Sequence, residues 1–186
     1  MPEYLKIKFE GLEELRRVFN KKELNTIMVR TLNDAAKQTK SFLVKKIRER
    51  YAIKASYLRE RAFSIKKATP SRLYAVLVAK GGKGVSLIHY PVRQTKKGVS
   101  AQVLRGRRVL IPHAFIQNAG GRPHVFIRKM AGGRRVGRYP VQRLLGPGMT
   151  TFIQHPEIWN AAHKKAEEFM IKNLGRRIDW MLAKIR

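Results

Sequence analysis

The sequence predicts an α/β protein of the α+β type. A small, mainly antiparallel sheet is packed by a long helix in the N-terminal half and by a C-terminal helix. Three observations carry this reading. Apolar residues recur at three- and four-residue steps from Leu24 to Ile47. They recur again, every four residues, from Ile158 to Leu182. Between these segments the chain breaks into short β-type runs separated by turn-formers. At 186 residues, one domain spanning 1–186 is the expectation. A chain of this size buries about 70% of its extended surface.

Each element has its local reason. Tyr4-Leu-Lys-Ile-Lys-Phe9 alternates in part and suits a strand that ends at Gly11, and Leu12, Leu15 and Phe19 share one face of a short helix. Asn20 followed by Glu23 is a helix start of the capping-box type. It opens a helix from about Lys22 to Tyr51 whose apolar stripe is Leu24, Ile27, Met28, Leu32, Ala35, Phe42, Leu43 and Ile47. Arg30, Lys37, Lys40, Lys45, Arg48 and Arg50 form its wet side. Ser56 is expected to cap a short helix over Tyr57–Ala62. Phe63–Lys67 and Leu73–Val78 read as a hairpin turning at Thr69-Pro70-Ser71. Leu87–Tyr90 reads as a strand, and Gln94–Gly98 as a basic turn into a strand over Val99–Leu104. Val109–Ile111 and His124–Ile127 are further strands, with Gly120-Gly121 and Gly132-Gly133 among the turns. His155-Pro156-Glu157 opens the last helix with proline at its first position. That helix carries Ile158, Ala162, Ala166, Met170, Leu174, Ile178 and Leu182, widened by Phe169, Met181 and Ile185. Gly175 is a candidate break; without it the helix runs about 45 Å. Trp159 and Trp180 suit a core or an interface.

Charge is the strongest functional signal. The formal net charge is +29, and all twelve acids lie in Glu3–Glu60 or Glu157–Asp179. The 96 residues from Arg61 to Pro156 hold nineteen Lys and Arg and no acid. Solubility needs a net charge of only about 2–8. Such self-repulsion is relieved by a polyanion or an acidic protein, and nucleic acid is the commonest polyanion. The candidate contacts are Lys96, Lys97, Arg107, Arg108, Arg134, Arg135 and Arg138. They can hold phosphates without reading bases. Tyr90, Phe115, Phe126 and Tyr139 are too few for a single-strand stacking platform.

Other classes are disfavoured. The chain has no cysteine, so disulfides and thiolate metal sites are excluded. It has no apolar run long enough to span a membrane, and its N-terminus lacks the apolar core of a signal peptide. Catalysis lacks its parts: the centre has no carboxylate, and His89, His113, His124 and His155 do not show metal-site spacing. The glycine loop Gly81–Gly84 does not fit a phosphate-loop pattern, and no G-x-S-x-G elbow occurs. No enzyme activity, cofactor or metal is expected.

A more specific pattern runs through Arg108-Val-Leu-Ile-Pro-His-Ala-Phe-Ile-Gln117, Gly121-Arg-Pro-His-Val125, Arg138-Tyr-Pro-Val141, Gly146-Pro147 and Thr150-Thr-Phe152. In order and spacing it resembles the minor tail protein Z family of long-tailed phages and prophages. Arg93–Ala101 extends the likeness upstream, and Leu32-Asn-Asp-Ala-Ala36 matches more loosely. The resemblance implies a virion structural protein, made in the host bacterial cytoplasm, that completes the head-proximal end of the tail. It implies a role in head–tail joining and in positioning the DNA end. It also implies a homo-oligomeric ring, a hexamer to match the tail tube. Its partners would be a tail terminator, tail tube, connector or tape measure, and double-stranded DNA passing through. Within that picture Pro112, His113, Phe115, Tyr139, Pro140, Gly146 and Pro147 are expected to be architectural and to shape a subunit contact. The alternative is a cellular, non-specific nucleic-acid-binding protein of ribosomal or nucleoid type; a nuclease is a weaker third reading.

Overall fold

The computed structural model describes residues 19–80, 84–128, 130–131, 134–135, 137 and 140–185, with backbone alone at 130–131, 134–135 and 185. The expected strand at Tyr4–Phe9, the helix face at Leu12 and Leu15, most of the Gly81–Gly84 loop, Gly132-Gly133, Arg138 and Tyr139 lie outside the described residues. In chain order the elements are helix α1 (Lys21–Arg50), a π-helical turn (Tyr57–Ala62), strands β1 (Phe63–Lys66), β2 (Val76–Ala79) and β3 (Val85–Ser86), and a 3-10 turn (Leu87–His89). Then come β4 (Val92–Thr95), β5 (Gly98–Ala101), β6 (Val109–Pro112), β7 (Ala114–Ala119), β8 (Arg122–Arg128), β9 (Met130–Ala131), β10 (Arg134–Arg135), β11 (Val141–Arg143) and β12 (Leu145–Gly146). Two helices close the chain, α2 (Met149–Ile153) and α3 (Pro156–Ile185). The α+β class stands, and every strand pair is antiparallel among the described residues. The strands form several two- and three-stranded sheets rather than one.

The chain gathers into two compact units. One contains residues 1–44, 63–80 and 154–186, the other residues 45–62 and 81–153.

In the first unit, α1 starts where the sequence places its capping box. Asn20 N–H donates to Glu23 Oε2 at 3.2 Å, and Glu23 N–H donates to Asn20 Oδ1 at 2.9 Å. The helical stripe then finds two partners. Leu32 and Ala35 cluster with Ala68 and Met170, flanked by Ala75 and Phe169. Phe19, Leu24 and Met28 are covered by Leu174, Ile178 and Met181. The candidate break at Gly175 does not occur, and α3 continues through it. A helical glycine costs about 1 kcal/mol, which burial of the adjacent Leu174 and Ile178 outweighs. Polar ties add register: Arg177 donates to Asp34, and Asn173 Nδ2 donates to Gln38 Oε1 at 3.0 Å. Asn33 holds the backbone of Ala68 from both sides, accepting its N–H at 2.8 Å and donating to its carbonyl at 3.2 Å. That contact anchors the β1–β2 hairpin, whose register runs from Phe63↔Ala79 to Lys66↔Val76. Its second strand starts three residues later than the sequence suggests, because Thr69 and Arg72 pair across the turn.

In the second unit the core is Ile47, Tyr51, Ile53, Leu58, Val85, Leu87, Tyr90, Val99, Val125, Met149 and Phe152. Tyr51 and Phe152 meet ring to ring at 4.5 Å. Two expectations are corrected here. Leu87–His89 is a 3-10 turn, not a strand. Leu87 and Tyr90 are both buried, and Tyr90 N–H bonds the Leu87 carbonyl at 3.0 Å; a spacing of three puts both on one side only in a helical turn. Ser56 does not precede its helix but lies inside it, since Ala55 and Ser56 are already helical. The π-helical turn then buries Leu58 and Ala62 together. Strand β7 has no counterpart among the expected strands. It pairs along its whole length with β8, from Ala114↔Ile127 to Ala119↔Arg122, through Gly120 and Gly121 at φ 59° and 73°. Two consecutive positive φ values are what a tight hairpin turn requires, and glycine adopts them without strain.

Candidate functional site

The cationic strands of the second unit begin with the sheet β4-β5-β6. Lys96 and Lys97 are the exposed two-residue turn between β4 and β5. Thr95 Oγ1 and Gln94 Nε2 both donate to the Gly98 carbonyl, at 2.9 and 3.1 Å, which fixes the turn under the two ammonium groups. Gln94 also accepts the Ile116 N–H at 2.9 Å and so ties β4 to β7. Arg107 and Arg108 are exposed at the other end, just before β6. Ala101 pairs with Val109 there, while Gly98 pairs with Pro112 beside the lysine turn. Three strand steps separate the two ends, about 10 Å. The two basic sets therefore lie at opposite ends of one sheet and do not form one cluster.

Arg105 has a different task. Its side chain donates to the Arg48 carbonyl and its N–H donates to Arg50 O at 2.9 Å. The last turn of a helix leaves carbonyls without partners and carries partial negative charge. Arg105 satisfies both needs at the end of α1, and Arg48 Nε reaches Ile53 O at 3.3 Å. The loop carrying Arg107 and Arg108 is thereby anchored. Arg134 and Arg135 lie on β10, opposite Ala131 and Met130 of β9.

The candidate architectural residues divide. Pro112 ends the edge strand β6, and exposed His113 turns the chain into β7 at φ 61°. Pro140 is exposed and directly precedes β11. Phe115 is half-buried, 6.0 Å from the Phe126 ring, with the Arg128 guanidinium 4.7 Å above it. Gly146 and Pro147 face inward. A Cβ on Gly146 would lie 2.8 Å from the Tyr90 ring, and the Tyr90 hydroxyl donates to Pro147 O at 3.3 Å.

A second cationic corner joins residues far apart in sequence. Ser86, 4% exposed, receives Arg143 Nε at 3.3 Å and lies 3.5 Å from His124 Nδ1. His89 stacks on Tyr57 at 4.2 Å. Its pKa is pushed below the ordinary range by partial burial and by Arg61, Lys54 and Arg143. Partial burial, Arg143 and Arg122 push His124 in the same direction. Arg143 and the imidazoles of His89 and His124 can donate to a phosphate oxygen in this corner, and none of them has a carboxylate partner among the described residues. No local motif signals it, because the residues come from separate elements.

Among the described residues the Lys and Arg side chains of Arg61–Pro156 find no carboxylate partner. The carboxylates pair instead with Lys37, Lys46, His155, Lys165 and Arg177. No group of metal-ligating side chains forms among the described residues, and no helix there is long and apolar enough to cross a membrane.

A model of the family described as prophage minor tail protein Z matches residues 9–185. The chain belongs to the prophage minor tail protein Z family. It is a structural protein of a phage tail, and the virion tail is its place. No curated protein and no solved structure matches it. The match takes in residues of both units of this tail protein.

Proposed function

We propose that this tail protein completes the head-proximal end of the tail and helps to join head to tail and to position the DNA end. It acts as a homo-oligomeric ring, a hexamer in register with the tube, and has no catalytic turnover. Its cationic strands hold phosphates or acidic walls of neighbouring tail proteins without sequence preference. The observation that carries this reading is the acid-free stretch Arg61–Pro156, whose basic residues find no carboxylate partner among the described residues. A ring multiplies that charge by its subunit number around a conduit for DNA.

The experiment reverses charge in one hairpin. Arg134→Glu with Arg135→Glu should leave the melting temperature within about 2 °C of the parent, a shift equivalent to about 0.5 kcal/mol. Infectivity and head joining should fall at least tenfold. An unfolded product, or fully infectious particles, would reject the proposal.

A further inference from the structure

Strand β6 ends its sheet, and among the described residues no strand pairs with its outer edge. The direction of its backbone groups follows from two bonds. His113 N–H donates to Lys97 O at 3.1 Å, toward β5. Across that peptide the Pro112 carbonyl points the other way, outward. The two-residue turn at Lys96-Lys97 makes Thr95 and Gly98 a bonded pair, which turns Val99 toward Ile111. Strand alternation then aims Ile111 and Val109 at β5, and the N–H and carbonyl of Leu110 outward.

This edge is apolar inside a cationic frame. Val109 is 50% exposed and Leu110 43% exposed. Arg107 and Arg108 lead into the strand, and Lys96 and Lys97 flank its far end. A second copy of β6 suits it poorly. Antiparallel self-pairing centred on Leu110 would lay Arg108 and Arg107 of one copy opposite Pro112 and His113 of the other, beside its Lys97. Pro112 also offers no N–H on the outer side.

We propose that the outer edge of β6 accepts an extended segment of another tail protein as an added strand. The segment pairs with the Leu110 backbone, covers Val109 and Leu110 with apolar side chains, and brings carboxylates to Arg107, Arg108, Lys96 and Lys97. This inference rests on the assembly reading above but fails separately. Particles that retain the chain with nothing added at β6 would reject it and leave that reading standing.

Two measurements decide it. The first places the photo-crosslinker p-benzoylphenylalanine at position 110 in assembled tails and identifies the attached peptide by mass spectrometry. An acidic segment of a different tail protein is expected; a second copy of this chain, DNA, or no crosslink overturns the proposal. The second compares Leu110→Pro with Ile111→Pro. Leu110→Pro removes an N–H outside the β5–β6 ladder, so the purified protein should melt within about 2 °C of the parent. Its incorporation into tails should drop at least tenfold. Ile111→Pro removes a ladder N–H and should melt far lower. Normal incorporation of Leu110→Pro, or equal melting losses for the two variants, overturns the proposal.

Discussion

Replacing Gly98 with alanine should disrupt the basic hairpin and the edge strand together. Gly98 has φ 155°, and a Cβ there would lie 2.1 Å from the Ile111 carbonyl oxygen and 3.0 Å from Pro112 Cα. Contacts under 3.0 Å are essentially never seen for a real Cβ, so β6 must retreat. The backbone conformation alone carries about 1–3 kcal/mol for a residue with a side chain. Retreat also strains the Val99↔Ile111 pairing and the bond from His113 to Lys97, about 1 kcal/mol for each hydrogen bond lost. The sum is about 3–5 kcal/mol. Gly106 is the control: its φ is 76°, and nothing lies within 4 Å of a Cβ built there. Gly106→Ala should therefore cost about 1–2 kcal/mol, from conformation alone. Urea unfolding followed by far-ultraviolet circular dichroism reads both as midpoint shifts at constant slope. If Gly98→Ala loses no more than Gly106→Ala, the close approach of β6 to Gly98 is wrong.

Other expectations follow from single contacts. Because His89 and His124 are held below the ordinary value of 6.5, the folded protein binds fewer protons than the unfolded chain between the depressed values and 6.5. Stability therefore rises with pH in that window and falls as acid is added. The melting temperature should drop from pH 7.5 to pH 5.5, less so with excess duplex DNA, and His124→Gln should flatten the profile; a flat profile in the parent would contradict this. Asn33→Ala removes both bonds to Ala68 and leaves two backbone groups without them, a loss of about 2–4 kcal/mol by urea unfolding. A loss under about 1 kcal/mol would show that water replaces the amide. Arg107→Glu with Arg108→Glu removes two candidate phosphate contacts. The slope of log affinity against log salt on duplex DNA should shrink by about 1.8, at about 0.9 per contact. An unchanged slope would place the DNA-binding surface elsewhere.

The helices were legible because each carries a local cause. Asn20 and Glu23 cap α1 as their spacing requires, and the four-residue repeat from Ile158 meets the stripe of α1. The β1–β2 hairpin was legible from its turn. Strand β7 was not, since Gln117 and Asn118 have weak strand preference and their order comes from pairing with β8. The 3-10 turn at Leu87 was hidden because a four-residue apolar run fits either form, and tertiary burial of Tyr90 decides it. Of the candidate contacts, Lys96, Lys97, Arg107 and Arg108 are exposed as charge predicts, yet their separation depends on strand register. The corner of Ser86, His89, His124 and Arg143 depends on topology alone, and each histidine looked ordinary in its own segment.

A density map of the assembled tail at side-chain resolution tests the account most directly. Phosphate or carboxylate groups are expected within hydrogen-bond reach of Lys96, Lys97, Arg107, Arg108 and Arg143. If those side chains all face open solvent in the mature particle, assembly brings them no negative charge, and the proposed role is contradicted.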